Sequence, residues 1–312
     1  MSKGKRTSAA LTTAALVFTA TACGTGSTDS TSGDKIELGL AISSLNNPFF
    51  VEMKKGAEAE AKSQGVELSV QDAQDDASRQ VNQVQNFTSQ NMKSVIINPV
   101  DSEAAAPAVK AASNADIPVL AADRSINSGD VKATVASDNV EGGRLAAKQL
   151  AEELDEQGEI LVLRGQSGTS ASRERGKGFA EGIKKYPGIK VVAKQPADFD
   201  RAKGLDVTTN ALQSHPNITG VFAENDEMAL GAVKALKGDA GTKVKVIGFD
   251  GTPEGLKAIA GGKLTCSIAQ QPDELGRMAV RNAVRLANDN DVDKQIKVPV
   301  KVVTQKNVDR FS

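Results

Sequence analysis

The sequence contains few of the residues that build metal centres and disulfide frameworks. It has one His, two Cys, one Tyr and no Trp in 312 residues. A His-rich or Cys-rich metal site and a disulfide framework are therefore excluded. P-loop, GxGxxG, HExxH and GxSxG patterns do not occur, so no motif indicates nucleotide binding or nucleophilic catalysis. We expect no cofactor, no metal and no enzymatic activity.

The chain also lacks an excess of charge of either sign. It carries 38 Lys and Arg residues against 39 Asp and Glu residues, a formal net charge of −1. Proteins that bind nucleic acid through its phosphates usually carry a strong basic excess, so nucleic acid is not an expected partner. Charged residues make up 25% of the chain and hydrophobic residues 39%, a mixture typical of globular domains. The length fits two domains of about 100–150 residues.

The first residues have the layout of an export signal. Three positive residues, Lys3, Lys5 and Arg6, precede an apolar stretch over 9–20, and small residues lead up to Cys23. This order is typical of a secretory signal peptide, and its apolar part is too short to span a membrane. We predict that residues 1–22 are the signal peptide. No later segment approaches 18 consecutive apolar residues.

Cys23 follows small residues as the cysteine of a bacterial lipobox does, which predicts that its thiol is lipidated. The sequence departs from the lipobox at Ala20, where Leu is usual; ordinary secretion with an incidental Cys23 is the alternative. Residues 23–34 are rich in Gly, Ser and Thr, which is typical of a flexible tether. We predict an exported protein that is lipid-anchored at the outer face of the cytoplasmic membrane, with soluble periplasmic residence as the alternative.

The rest of the chain alternates short β-rich runs with helical patterns, which indicates βαβ units and parallel sheets covered on both faces. The element count alone fits either two open sheets or one TIM barrel. The predicted strands are 36–42, 66–70, 94–98, 118–121, 160–163, 190–193, 220–223 and 243–249, with a further strand-like run at 264–268. Predicted helices include 49–63, 78–90, 140–154, 173–185 and 227–236.

Two helix starts carry capping signals. Asn47 followed by Pro48 resembles an N-cap with Pro at the first helical position. Asp138 followed three residues later by Glu141 resembles a capping box. Cys266, in the strand-like run at 264–268, is predicted to be a buried free thiol, because a catalytic thiol would need a nearby His.

Polar and aromatic residues concentrate where predicted strands end. In open parallel sheets ligands bind beyond the carboxyl ends of the strands, and these junctions carry Asn, Asp, Arg and Gln together with four of the nine Phe. Carboxylates and amides with arginine can satisfy both the donor and acceptor functions of sugar hydroxyls, and aromatic rings supply apolar area. The combination predicts a neutral, polyhydroxylated ligand. Singly, the same residues fit helix caps, core residues or local ion pairs, as at Asn47, Phe49 and Asp123–Arg124.

Several longer strings resemble the D-ribose-binding proteins, the substrate-binding components of bacterial sugar ABC importers. The strings occupy 45–50 (LNNPFF), 168–170 (GTS), 173–176 (RERG), 195–200 (QPADFD), 225–231 (NDEMALG), 248–253 (GFDGTP) and 268–270 (IAQ). The resemblance runs in collinear order over about 35–305 and its motifs are long and specific. We identify the chain as resembling that family.

The resemblance implies an α/β fold of two Rossmann-like lobes with parallel sheets, joined by a three-strand hinge, as in type I periplasmic binding proteins. It places the N-terminal lobe at 35–137 plus 270–298, the C-terminal lobe at 138–269 plus 299–305, and a tail at 306–312. It further implies a monomer that captures D-ribose or a related monosaccharide by hinge closure and delivers it to the membrane permease. The ligand-binding residues carried over are Ser43, Asn47, Phe49, Phe50, Asn98, Asp123, Arg124, Arg175, Phe199, Asn225, Phe249, Asp250 and Gln270.

Three other functions compete. A glycoside hydrolase could pair Asp123 with Asp250, but the neighbouring Arg124 and Arg175 are expected to keep both carboxyl groups ionised, which does not suit a general acid. A ligand-sensing core of the LacI type shares the two-lobe fold, but an export signal stands where its DNA-binding domain would be. Binding of another furanose-like signal, such as autoinducer-2, is the third alternative.

Overall fold

The computed structural model describes residues 35–311, and the predicted signal peptide, Cys23 and tether lie outside this range. The strands are β1 (Glu37–Ile42), β2 (Glu67–Asp72), β3 (Ser94–Ile97), β4 (Val119–Ala122), β5 (Val131–Ser137), β6 (Gly158–Arg164), β7 (Ile189–Pro196), β8 (Ile218–Ala223), β9 (Lys245–Asp250), β10 (Cys266–Ala269), β11 (Gln295–Val298) and β12 (Lys301–Thr304). The helices are α1 (Pro48–Gln64), α2 (Ala77–Ser89), α3 (Ala106–Ser113), α4 (Asn139–Glu153), α5 (Ser170–Ile183), α6 (Arg201–Ser214), α7 (Asp226–Leu236), α8 (Pro253–Ala260) and α9 (Pro272–Ala287).

The strands form two six-stranded sheets. The first has the order β2-β1-β3-β4-β5-β11, and all its neighbouring strands run parallel. The second has the order β7-β6-β8-β9-β10-β12, and its strands are parallel except for the antiparallel pair β10 and β12. Two open sheets replace the single barrel that the element count had left possible.

Each sheet is covered by helices on both faces, which explains the continuous apolar runs of its strands. On β1, Leu38 and Leu40 belong to a core with α1 and α9, whereas Ala41 belongs to the core with α2 and α3 on the other face. On β6, Ile160 packs with α4 and α5, whereas Leu161 packs with α6, α7 and α8. The doubly wound arrangement leaves the carboxyl ends of the strands as the place where loops from both sheets can meet.

The chain passes between the two sheets three times. It leaves the first sheet after β5, returns through α9 to β11, and leaves again between β11 and β12. Both sheets nevertheless belong to one contiguous unit of the chain. Within residues 35–311, no helix has the length and apolar character that crossing a bilayer requires.

The predicted strands are all present, with boundaries that differ by at most three residues. Strands β5, β11 and β12 were not predicted. In β11 the outward residues Gln295 and Lys297 interrupt the apolar pattern and are exposed, and β12 is a short antiparallel edge strand. Such half-exposed strands lack the signal that fully buried strands carry.

The N-cap prediction at Asn47 is confirmed, because its side-chain oxygen accepts a hydrogen bond from the Phe49 amide at 2.9 Å. Only half of the predicted capping box forms. Asp138 Oδ1 accepts from the Glu141 amide at 3.3 Å, but the Asp138 amide donates to the Val298 carbonyl at 3.0 Å. The Glu141 carboxylate instead pairs with Arg144 at 3.5 Å.

Cys266 is a buried free thiol, as predicted. Burial raises the pKa of its thiol above the ordinary value. A thiol that stays protonated is a weak nucleophile. Cys266 instead packs in the hydrophobic core of the second sheet.

Candidate functional site

A small cavity lies where the strand ends of the two sheets face each other. The first sheet and its loops contribute Asn47, Phe49, Phe50, Asp123 and Arg124. The second contributes Ala171, Arg175, Phe199, Asn225, Asp250 and Gln270. Charged, amide and aromatic side chains line it together, a mixture that suits a small polar molecule.

The structure brings together at this cavity every residue of the sequence-predicted site except Ser43, Asn98 and Phe249, which lie just behind it. Ala171, on the first turn of α5, was not predicted. A small apolar residue in a helical pattern carries no sign that it lines a pocket.

Asn98 and Ser43 form a buried layer behind Asp123. The Asn98 side-chain oxygen accepts hydrogen bonds from the Ser43 amide at 3.0 Å and from its hydroxyl at 2.6 Å. This fixes the orientation of the amide, whose nitrogen donates to the Ala122 carbonyl at 3.1 Å and to Asp123 Oδ2 at 3.4 Å. Ser43 and Asn98 therefore orient one oxygen of Asp123.

Arg175 is held from several directions. Its guanidinium carbon lies 3.9 Å from the centroid of the Phe249 ring, which is completely buried. Its Nε donates to Asn139 Oδ1 at 2.9 Å and its Nη1 to the Glu224 carbonyl at 2.7 Å. The carboxylate of Asp250 is 3.6 Å from Nη1. Phe249 is thus the stacking surface beneath Arg175, while Asn139 and Glu224 are contacts that the sequence analysis missed.

Burial raises the pKa of the two carboxyl groups that line the cavity. It raises the pKa of Asp123 against the attraction of Arg124 and Arg175. It raises the pKa of Asp250 well above the ordinary value, with opposition from Arg175 and reinforcement from the carboxyl of Asp226. The arginines therefore do not hold the pKa of either carboxyl group at or below its ordinary value, because loss of solvation outweighs their attraction.

Three buried polar atoms at the cavity have no hydrogen-bond partner within residues 35–311: Asp123 Oδ1, Arg124 Nε and Gln270 Oε1. The rest of each group is engaged. Arg124 Nη1 donates to the Pro99 carbonyl at 3.1 Å, and Gln270 Nε2 donates to Asp250 Oδ1 at 2.7 Å. Unpaired buried polar atoms are costly, so two acceptors and one donor are available to a ligand with hydroxyl groups.

The backbone is strained at three residues of the cavity wall. Asp123 has φ +65°, Phe199 has φ +61° and Asp250 has φ +128°. Non-glycine residues rarely adopt such angles, and they concentrate at binding and active sites where the surrounding structure enforces them. The strain aims these three side chains into the cavity.

Direct contacts between the two halves of the fold lie beside the cavity. The Ser102 amide donates to the Gly168 carbonyl at 3.1 Å, and the Ser125 amide donates to the Ser170 hydroxyl at 2.8 Å. The structure therefore shows the two halves closed on each other. Among residues 35–311, no group of three or more His, Cys, Asp or Glu side chains is arranged to hold a metal ion.

Known proteins share this sequence and fold. The sequence profile of the periplasmic binding protein domain matches residues 38–291. The ribose import binding protein RbsB of Bacillus subtilis is 46% identical over 279 residues, which cover 89% of this chain and 90% of that protein.

Solved structures give the same assignment. An ABC transporter solute-binding protein of Bacillus halodurans, with bound myo-inositol, superimposes with a TM-score of 0.85 at 35% identity, covering 90% of this chain and 98% of that one. A periplasmic solute-binding protein of Actinobacillus succinogenes, with bound D-allose, gives a TM-score of 0.84 at 34% identity, covering 88% of this chain and 100% of the other. With its two doubly wound sheets and the cavity between them, the chain belongs to the periplasmic binding protein family.

Proposed function

We propose that this protein binds D-ribose or a closely related monosaccharide outside the cytoplasm and delivers it to an ABC-type importer. The observation that carries the proposal is the small cavity in which Asp123, Arg124 and Gln270 present unpaired polar atoms between aromatic rings. A neutral sugar satisfies such a mixture of donors and acceptors without bringing net charge into a buried space. Relatives named for ribose import and structures with bound polyols support the same ligand class.

The proposed contacts divide by chemistry. Hydroxyl groups of the sugar donate to the acceptors and accept from the arginines, and the rings of Phe50 and Phe199 contact the apolar faces of the sugar. Ser43, Asn98 and Phe249 act from behind the cavity by fixing Asp123 and Arg175. The proposed binding set is Ser43, Asn47, Phe49, Phe50, Asn98, Asp123, Arg124, Arg175, Phe199, Asn225, Phe249, Asp250 and Gln270.

Capture proceeds in this proposal by closure of two lobes about a hinge. One lobe comprises 35–137 plus 270–298, the other 138–269 plus 299–305, and the three passages of the chain between the sheets form the hinge. A sugar that contacts both lobes binds the closed state better and shifts the population toward it. The presence of cavity residues from both sheets supports this proposal.

The relatives are transport binding proteins, and we propose that this chain likewise catalyses no reaction and acts as a monomer that meets a membrane permease. Acylation of Cys23 would hold it at the outer face of the cytoplasmic membrane. Mass spectrometry of the membrane fraction tests directly whether Cys23 is acylated. The variant Cys23→Ala is expected to leave the membrane fraction, and an unmodified Cys23 in wild-type protein would contradict the anchor.

Calorimetric titration with D-ribose, D-allose, D-xylose, D-galactose and D-glucose tests the ligand. Calorimetry is preferable to intrinsic fluorescence because the chain has no Trp. One-to-one binding of D-ribose in clear preference to the other four is the expected result. Preference for another sugar would change the proposed substrate but not the proposed mechanism of capture. No binding of any of the five would contradict the proposed function.

A further inference from the structure

Phe199 occupies an unusual position in the cavity wall. It follows Asp198, and both residues have positive φ, +51° and +61°. The Asn225 side-chain amide donates to the Phe199 carbonyl at 3.3 Å, and the Ala197 amide donates to the Arg164 carbonyl at 2.8 Å. The short loop that carries the ring is therefore fixed on both sides.

The ring lies near both arginines of the cavity. Its centroid is 5.7 Å from the guanidinium carbon of Arg124 and 5.8 Å from that of Arg175. A displacement of this ring toward the arginines would reduce the space in which a sugar must fit, because all three residues line the cavity.

Gly165 lies against the outer edge of the Phe199 ring and is not among the residues that line the cavity. A Cβ atom at this position would lie 2.1 Å from Cζ, 2.2 Å from Cε1 and 2.6 Å from Cε2 of Phe199. The backbone of Gly165 is outside the left-handed region, so its φ permits other residues, and the close approach of the ring is what requires glycine here.

The backbone at Gly165 is itself held in place. Its amide donates to Glu224 Oε2 at 2.7 Å, and the same carboxylate accepts a hydrogen bond from the Ser172 hydroxyl. Glu224 is completely buried. Since the strand end cannot retreat without breaking these bonds, a side chain added at 165 must displace the ring.

We propose that Gly165 determines the depth of the sugar site, and with it the size of sugar accepted, by setting how far the Phe199 ring recedes from the cavity. This inference rests on the proposed function. Ordinary carbon–carbon contact is about 3.5–4.0 Å, so an alanine at 165 moves the ring about 1–2 Å into the cavity. One additional carbon-sized group in a pocket changes affinity by about 10- to 200-fold.

The test is a double-mutant cycle between Gly165→Ala and Phe199→Ala. In the wild-type background, Gly165→Ala is expected to weaken D-ribose at least tenfold and to raise the ratio of the D-allose to D-ribose dissociation constants at least fivefold. In the Phe199→Ala background, where no ring remains to be displaced, it is expected to change the D-ribose dissociation constant less than twofold. Gly238→Ala is the matched control, since no atom lies within 4 Å of its added Cβ.

Thermal unfolding without sugar separates this inference from the proposed function. Gly165→Ala is expected to lower the midpoint in the Phe199 background and not in the Phe199→Ala background, whether or not any sugar binds. Equal effects of Gly165→Ala on the midpoint in both backgrounds would show that the added methyl group does not press on the Phe199 ring. An unchanged ratio of sugar affinities in Gly165→Ala would overturn the role in selection by size. Wild-type protein that binds none of the sugars contradicts the proposed function alone, because the midpoint cycle still tests the contact.

Discussion

Two acidic and two basic side chains, Asp123, Arg124, Arg175 and Asp250, are almost completely buried around one small cavity. Buried charges destabilise a fold unless they are paired at close range. Here the nitrogen–oxygen distance is 3.6 Å in both the Arg124–Asp123 and the Arg175–Asp250 pair. These distances leave hydrogen-bonding capacity that a sugar hydroxyl can use. The incomplete pairing lowers the stability of the fold at the place where the ligand binds.

Asp250→Asn is expected to weaken D-ribose binding at least tenfold, about 1.4 kcal/mol. The amide keeps the shape of the carboxyl group but places an NH2 donor where one acceptor oxygen stood beside the Arg175 guanidinium. Buried hydrogen bonds that involve a charged group contribute about 1.5–3 kcal/mol. Arg175→Ala is expected to have at least as large an effect. Calorimetry measures both, with Asp206→Asn on the exposed side of α6 as the control. Unchanged affinity in both variants would contradict the site.

Asp226 is a further buried carboxyl group, close enough to Asp250 to influence its pKa. It accepts hydrogen bonds from the Ser267 hydroxyl at 2.7 Å and the Thr252 amide at 2.8 Å. Burial nevertheless raises its pKa from 3.8 to about 6. The native protein therefore holds this proton more tightly than the unfolded chain does, and the resulting stability is full below about pH 4 and lost as the pH rises through about 6.

Asp226→Asn removes this titration. Between pH 4 and 7, wild-type protein is expected to lose on the order of 2 kcal/mol of unfolding free energy relative to the variant, since each pKa unit corresponds to about 1.4 kcal/mol. Urea unfolding at several pH values measures the difference, in which the titrations of groups distant from Asp226 and Asp250 cancel. A difference that stays constant with pH, or that changes in the opposite direction, would show that Asp226 does not retain its proton in the native state.

At the scale of elements, α5 carries Arg175 and forms part of the contact between the two halves. Thr169 caps its N-terminus by accepting from the Ser172 amide at 3.4 Å. The helix packs against α4 with backbones in close approach, because a Cβ on Gly143 would lie 2.2 Å from the Arg175 carbonyl oxygen and 2.7 Å from the Phe179 amide nitrogen. The position of Arg175 therefore depends on the distance between two helices.

Gly143→Ala is expected to destabilise the protein by about 1–3 kcal/mol, as overpacking does in other cores. It is also expected to weaken D-ribose binding several-fold, because α5 must move away and carries Arg175 with it. Urea unfolding and calorimetry give the two quantities. Gly261→Ala, whose nearest contact would be an ordinary 3.4 Å, serves as the control. Lost stability with unchanged affinity would show that the spacing of α4 and α5 does not position Arg175.

The same elements show what could be predicted from the sequence. Strands buried on both faces, such as β1 and β8, are nearly continuous apolar runs and were predicted, and the rule that ligands bind at strand ends then located Asp123 and Asp250. The contacts of Asn139 and Glu224 with Arg175 were not predicted. They depend on how α4, α5 and β8 pack in space, and neither residue belongs to a motif. The positive φ of Asp123 and Phe199 likewise results from the surrounding structure rather than from residue type.

At the scale of the whole molecule, the two halves contact each other directly as well as around the cavity. Arg173, on the second turn of α5, donates to Asn127 Oδ1 at 3.3 Å and to the Ser102 hydroxyl at 3.5 Å, both on the opposite half. Its Nη1 also donates to the Gly168 carbonyl at 2.9 Å, on its own half. In the proposed hinge closure, contacts of this kind exist only in the closed state and stabilise it whichever sugar is bound.

Arg173→Ala is therefore expected to weaken D-ribose binding about two- to tenfold without changing a residue that lines the cavity. The apparent dissociation constant rises as the fraction of molecules in the binding-competent closed state falls, and one hydrogen bond contributes about 0.5–1.5 kcal/mol net. Two of the three lost hydrogen bonds join the halves, and only the exposed bond to the Gly168 carbonyl lies within one half. The unfolding midpoint without sugar is therefore expected to fall by no more than about 4 °C. Arg310→Ala, another exposed arginine, provides the control in calorimetry and thermal unfolding. Equal affinities of the two variants would mean that the cavity contacts alone hold the halves together, whereas a large fall in the midpoint would mean that Arg173 stabilises the fold itself.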